Sequence, residues 1–342
     1  MKNKIIFFGL ICISIISNSQ SKHAITYILT NGRHGDHIVT YLKAKWLSYK
    51  YNIPLLYKPF KYSDKLTMHQ SEQGWNKNIG GSFAKKIRVK NEADINVNLE
   101  VPTLFEIEST VRLHDEYDEN HLPLPDDFRI FLVRSLFESI VKNHEFKQEV
   151  QKILTPVYDV PLIEFPEDCI SVAMHIRTGG AYTKDKRFVN QQGLRFCKEQ
   201  FYINQLIYLS ELLDDCPLFV WIFTDDADPQ ALCERIEVAC NKPNILFGCR
   251  TEGNHFERNV IEDMWCMSKF DCLIRPNSHF SFVAQLMGNH KIIISPYNAL
   301  RKGRNAFLND VMISFCGNGR LLKFVVNEAN LQNIKEAVST FL

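Results

Sequence analysis

Ile170-Ser171-Val172-Ala173-Met174-His175-Ile176-Arg177-Thr178-Gly179-Gly180 is the stretch whose reading decides the fold. The run Ile170 to Ile176 is short, apolar and rich in β-branched side chains, and polar residues and glycines follow it at once. That is the pattern of a strand buried on both faces that ends in a turn. Such a strand needs covering layers above and below, and the downstream chain supplies them. Helical periodicity over Glu199–Leu213 is followed by a strand at Leu218–Phe223, a helix at Pro229–Ala239 and a strand at Asn244–Phe247. A helix at Val260–Lys269, a strand at Cys272–Arg275, a helix at Phe280–Met287 and a strand at Lys291–Ser295 come next, with a last helix near Leu331–Leu342. This alternation predicts an α/β fold built on a parallel sheet with helices on both faces.

Upstream, Ala24 to Leu29 (AITYIL) reads as another buried strand and Asn31 to Asp36 (NGRHGD) as a turn, with Asp36 capping the helix that follows. Val39, Leu42, Trp46 and Leu47 recur at helical spacing, and Asn52-Ile53-Pro54 closes that helix before a short strand at Leu55–Tyr57. Residues 61–125 are less regular. Within them, His114 to Asn120 (HDEYDEN), with Pro123 and Pro125 after it, reads as an exposed loop. An amphipathic stretch, Phe128–Leu154, leads to Pro156, Pro161 and Pro166, which punctuate a linker. The expected organisation is therefore a first α/β domain over 24–160 and a second over 161–342.

The composition narrows the function classes. With 342 residues, 45% of them hydrophobic and 23% charged, the chain can bury one large core or two moderate ones. Forty Lys and Arg against 39 Asp and Glu leave a net charge of +1, so no global field holds it on nucleic acid or on anionic lipid. An anionic partner must be met by a local site. Residues 1–23 read as a targeting segment, because Lys2 and Lys4 precede the apolar run Ile5–Ile16 and the polar stretch Ser17 to Gln20. It is either a cleaved signal peptide or an N-terminal anchor. That implies a secretory, exported or membrane-associated protein, with association on the cytoplasmic side as the alternative. Nine of the 10 cysteines lie beyond residue 168 without a C-x-x-C pair. They fit buried thiols, or, in an exported chain, one or two disulfides, for example one among Cys233, Cys240 and Cys249.

In a parallel sheet, ligands bind outside the carboxyl ends of the strands, and polar groups stand at those ends. The first quoted strand closes on His175 and Arg177, which alternation points to one side. A guanidinium suits a diphosphate by its charge and planar fork, though a surface ion pair is the plainer use. Thr224-Asp225-Asp226-Ala227-Asp228 follows the next strand; its carboxylates suit a base or ribose, or cap the helix opened by Pro229. Asp226 and Asp228 also form a short D-x-D pattern able to hold a divalent metal. Asn277-Ser278-His279-Phe280-Ser281 precedes a helix, and amides at a helix N-terminus attract anions or serve only as a cap. Gly32-Arg33-His34-Gly35-Asp36-His37 closes the first strand, either as a tight turn or as a backbone that approaches a ligand closely.

Together these segments resemble the α-1,2-fucosyltransferase family and, more distantly, the α-1,6- and protein O-fucosyltransferases. The loop at Gly32 looks like the family's Gly-x-Gly-Asn-Gln element, and Gly32-Arg33-x-Gly35 like the Gly-Arg-Phe-Gly of protein O-fucosyltransferases. His175-x-Arg177 resembles His-x-Arg-Arg-Gly-Asp, and Phe223-Thr224-Asp225-Asp226 resembles Phe-Ser-Asp-Asp. Asp263-Met264-x-x-Met267-Ser268, running on to Asn277-Ser278-x-Phe280-Ser281 and then to an apolar strand and Pro296, is similar in order and spacing. Thr178 and Gly180 replace the second arginine and the aspartate of the His-x-Arg motif, and Asp36 and His37 stand where Asn and Gln are usual.

The resemblance implies a GT-B fold, two Rossmann-like domains facing across a cleft. The implied activity is an inverting, metal-independent transfer of fucose from GDP-fucose, a substrate rather than a cofactor, to a glycan or glycoconjugate acceptor. Arg177 and the helix start at Ser278 would carry the charge of departing GDP. By the same resemblance His175 lies on the phosphate side and Asp225 near the guanine, Asp226 is a further donor-binding residue, and Arg33 reaches the donor from the opposite domain. Asp36, His37 and Asp185 are the candidate bases. The open alternatives are another nucleotide sugar, a metal held by Asp226 and Asp228, or a carbohydrate-binding descendant without catalysis.

Overall fold

The computed structural model describes residues 22–113, 136–179, 194–251, 257–302, 305–317 and 320–326, with 334 and 336. The targeting segment up to residue 21, the acidic stretch 114–120, Gly180 and Asp185 lie outside the described residues. So does the terminal helix near 331–342, apart from helical Ile334 and Glu336. Among the described residues no helix is long and apolar enough to cross a membrane.

The quoted stretch forms β4 (Ile170–Ile176), all but its first residue buried. It lies in a seven-stranded sheet ordered β10-β9-β8-β7-β4-β5-β6. The other strands are β5 (Leu218–Thr224), β6 (Ile245–Cys249), β7 (Cys272–Ile274), β8 (Ile292–Lys302), β9 (Asn305–Gly317) and β10 (Arg320–Val326). Strands β8, β7, β4, β5 and β6 pair in parallel, as the alternation predicts, whereas β9 and β10 add to the β8 side in antiparallel fashion. From β4 the chain places β5 and β6 on one side, then returns to place β7 and β8 on the other. The order therefore reverses between β4 and β7. At such a reversal the loops leaving adjacent strands diverge and open a crevice.

The first half builds a second, three-stranded parallel sheet, β1-β3-β2, from β1 (His23–Tyr27), β2 (Lys85–Asn91) and β3 (Thr103–Arg112). Its central strand β3 falls in the region read as irregular. Glu106 and Glu108 interrupt the apolar run there, although Leu104, Phe105, Ile107 and Val111 are buried. Leu55–Tyr57 forms isolated bridges to Ile25 and Gly74 rather than a strand.

The helices that position the crevice are α1 (His34–Tyr51), α2 (His144–Ile153), α3 (Glu199–Leu212), α4 (Pro229–Cys240), α5 (Val260–Met267) and α6 (His279–Met287). α1 stops at Asn52, which takes the left-handed conformation (φ 52°), two residues before Pro54. One apolar cluster joins Ile25 and Phe105 of the small sheet to Ile38 and Leu42 of α1, Phe282 and Val283 of α6, and Ala173 and Leu273 of the large sheet. A second cluster, with Val172, Leu206 and Ile236, covers the opposite face of the large sheet. Cys233, Cys240 and Cys249 are buried thiols, unpaired like every other cysteine described.

Candidate active site

α1 and α6 meet end to end at the crevice. A Cβ placed on Gly35 would lie 2.7 Å from the backbone nitrogen of Phe280, so only glycine lets the first turn of α1 rest on the first turn of α6. Beside this contact His279 Nδ1 lies 2.6 Å from Asp36 Oδ1, and Asp36 Oδ2 accepts the Arg33 N–H at 2.8 Å. Asp36 thus caps α1, as its sequence position suggests, from the third helical position rather than from the N-cap, which is Arg33. Burial opposes its ionisation, but the hydrogen bond and charge of His279, the Arg33 N–H and the charge of Arg195 outweigh it and hold the carboxyl down at about 2.

On the large sheet, the turn after β4 is held by β5. Asp225 Oδ1 accepts the N–H groups of Thr178 at 2.8 Å and Gly179 at 3.3 Å. Gly179 has φ 90°, a left-handed conformation that disfavours any other residue. Arg177 leaves this turn with its guanidinium carbon 5.1 Å from the ring centre of Phe196. His175, one strand repeat back, is buried, and its Nδ1 has no hydrogen-bond partner among the described residues. Burial, then the charges of Arg177 and Arg275, push its pKa down to about 3, so it is neutral at ordinary pH.

These groups line one cavity of about 320 Å³ between the sheets, within the size range of small-molecule sites. Of the residues expected from sequence, Gly32, Arg33, Gly35, Asp36, His37, His175, Arg177, Asp225, Ser278, His279 and Phe280 all face it. Asp226, Asn277 and Ser281 do not. Asp226 Oδ1 accepts the Asp228 N–H at 2.9 Å, and Asp228 accepts from Ala231 to cap α4, so both carboxylates of the D-x-D pattern shape a turn. The Asn277 N–H donates to the Leu194 carbonyl, and Ser281 is fully buried beneath the first turn of α6. His37 places Nε2 3.0 Å from the Thr30 carbonyl, and its buried Nδ1 has no partner among the described residues.

The cavity wall also holds residues that no strand-end motif contained, among them Lys61, Tyr62, Arg195, Glu257 and Arg258. Glu257 and Arg258 precede α5 beyond the end of β6, so the strand-end rule applied there too would have reached them. Arg195 has no local signal and is delivered by the fold. Asp263 of α5 pairs with Arg250 at 2.6 Å; burial raises its carboxyl to about 6 against that partner's pull. Lys61 pairs with Glu257 at 2.7 Å. Every cavity carboxylate therefore has a protein donor, while Arg177, Arg195 and Arg258 also stand on the wall. That balance favours an anionic ligand.

With this geometry in place, the chain is 30% identical over 156 residues to an alpha-1,2-colitosyltransferase of Escherichia coli, a match spanning 44% of the chain and 49% of the relative. Over that stretch the chain is similar to a glycosyltransferase. The match thus reaches about half the length of this curated relative. No protein-family profile matches. Among solved structures, POFUT1 in complex with GDP-fucose aligns at 9% identity and TM-score 0.42, covering 80% of this chain and 96% of that one. An Arabidopsis thaliana FUT1 mutant in complex with GDP aligns at 13% identity and TM-score 0.47, covering 82% and 72%. At these scores the structural likeness adds no argument to the strand order and the cavity.

Proposed function

We propose that this protein is an inverting, metal-independent glycosyltransferase that moves fucose from GDP-fucose to a hydroxyl of a glycan or glycoconjugate. The observation that carries this reading is the convergence of Arg177 and the N-terminus of α6 on one cavity at the β4/β7 reversal. Glycosyl transfer passes through an oxocarbenium-like state while the nucleoside diphosphate departs with added negative charge, so groups that bind that charge more tightly as it grows lower the barrier. A guanidinium and helix N-terminal amides do so without reorganising. Asp225 positions Arg177 through the turn it holds, and neutral His175 beneath it adds no competing charge. Arg33 meets the donor from the side of the small sheet. Residues 1–23, read as an export signal or anchor, set this chemistry in an exported or membrane-bound protein.

The sequence match favours a second donor, since the relative is named for transfer of colitose, which like fucose is a 6-deoxy sugar. The test is a thermal-shift and calorimetric panel of GDP, UDP, GDP-fucose and GDP-colitose, with and without EDTA. A ligand that binds the native state raises its melting temperature with the logarithm of concentration. GDP and one GDP-sugar should stabilise the protein, UDP should not, and EDTA should change neither. Preference for UDP, or binding abolished by the chelator, would sink the reading, and indifference to GDP would indicate a non-catalytic descendant.

A further inference from the structure

We propose that His279 is the group that takes the proton from the acceptor hydroxyl, with Asp36 as the positioning residue that fixes its ring; the assignment rests on the transferase reading above. Asp36 is bound through both oxygens, one accepting the Arg33 N–H and the other facing His279 Nδ1 at 2.6 Å. A carboxylate with both oxygens so engaged is an acceptor, so the proton of that contact sits on Nδ1. Nε2 then carries the lone pair, and no residue among those described hydrogen-bonds to it. The His279 side chain is 24% exposed and lines the cavity that holds Arg177. The arrangement is that of an imidazole base oriented by a carboxylate, here assembled from two helices that belong to different sheets.

The other sequence candidates are less well placed. Asp36 has both oxygens engaged, and His37 has Nε2 against a carbonyl and Nδ1 buried. In the step proposed, the acceptor oxygen forms a bond to the anomeric carbon as its proton passes to His279 Nε2. The bond from that carbon to the phosphate oxygen breaks, and its electron pair leaves with GDP toward Arg177 and the α6 amides. The imidazolium returns its proton to solvent. The charged and titratable groups that line the cavity with His279 are Arg33, His34, Asp36 and His37 at the start of α1, Lys61 and Tyr62 beyond it, His175 and Arg177 at the end of β4, Arg195 before α3, Asp225 after β5, and Glu257, Arg258 and Asp263 at α5. Burial raises the Asp263 carboxyl to about 6, so the test must separate its contribution from that of His279.

GDP release from GDP-fucose, to lactose or to water, is measured against pH for the full chain, His279→Gln and Asp36→Asn, with calorimetric GDP titration of each. His279→Gln should lower kcat by about 10²- to 10⁴-fold, keep GDP affinity within about threefold because the backbone amide remains, and abolish the acidic limb of kcat. Asp36→Asn should show a comparable loss, since its single carbonyl oxygen cannot serve both Arg33 N–H and His279 Nδ1 and the amide would favour the wrong tautomer. A His279→Gln protein that keeps more than about a third of kcat, or whose acidic limb survives, overturns the assignment; a surviving limb would belong to Asp263. A pair that only latches the helices would shift melting temperature and KM without removing the limb. A wild-type chain that binds no GDP, or releases none from GDP-fucose, overturns the transferase reading and this base with it.

Discussion

α1 and α6 begin in contact with each other at the same cavity, yet their first turns are completed differently. α1 satisfies itself: Asp36 folds back onto the Arg33 N–H and places a negative charge at the positive end of its own helix. At α6 the N-cap residue Ser278 makes no side-chain capping bond, and its neighbours His279 and Phe280 face the cavity. One helix end is closed by its own sequence; the other is left for something else to close. The difference teaches that a glycine-rich turn before a helix is not by itself an anion site, because a carboxylate three residues on can occupy it first.

This comparison breaks most easily at the open end. Arg177→Ala removes the guanidinium that stands with the α6 amides, and turnover should fall by about 10²- to 10³-fold with an unchanged circular dichroism spectrum. Retention of more than a tenth of wild-type turnover would detach Arg177 from the chemistry. Gly35→Ala attacks the contact between the two ends. The added methyl would sit 2.7 Å from the Phe280 nitrogen, so one helix must move, at a cost of about 1–3 kcal/mol, read as a lower denaturant midpoint. A neutral result would mean the helices are not held against each other.

Asp36→Ala should cost about 1 kcal/mol through the lost cap, and its pH dependence has a definite sign. Asp36 has a depressed folded-state pKa, so its contribution is present above the ordinary value near 3.8 and lost as pH falls through about 2. The stability gap between wild type and Asp36→Ala should therefore close on acidification across that window, and a gap that widened there would contradict the assigned partners. The smallest effect belongs to Ser278→Ala. Its hydroxyl caps nothing, so the unliganded stability should change by less than about 0.5 kcal/mol; a loss as large as that of Asp36→Ala would erase the contrast between the helices.

Most of the large sheet was legible because β4, β5 and β7 are apolar on both faces and end at polar residues or glycine. β3 was not, since a strand with one face partly wet carries Glu106 and Glu108 among its buried residues and loses the continuous signal. β9 and β10 escaped for a related reason: Asn305, Asn309 and Asp310 break the run, and an antiparallel extension needs no intervening helix to announce it. At the site, the strand-end rule located Arg177, Asp225 and His279 because topology alone sends those positions to the crevice. It overreached to Asn277 and Ser281, whose neighbours turn inward. It could not supply Arg195, whose position depends on how the chain returns to α3. The Asp36 and His279 pairing was invisible for the same reason: its members are 243 residues apart, and only the packing of Gly35 on Phe280 brings them together.

The apolar cluster that runs from the small sheet through α1 and α6 into the large one has a mechanical consequence. Swinging the lobes apart would expose Ile38, Leu42, Phe282 and Val283 to water, and each buried side chain of this size resists exposure by about 1.5–3 kcal/mol. The rim opens more easily, because there Lys61 and Tyr62 reach across to Glu257 through surface contacts that cost little to undo. The protein is welded along the apolar seam between its sheets and only buttoned at the mouth of its cavity, so the mouth is the cheaper of the two to open.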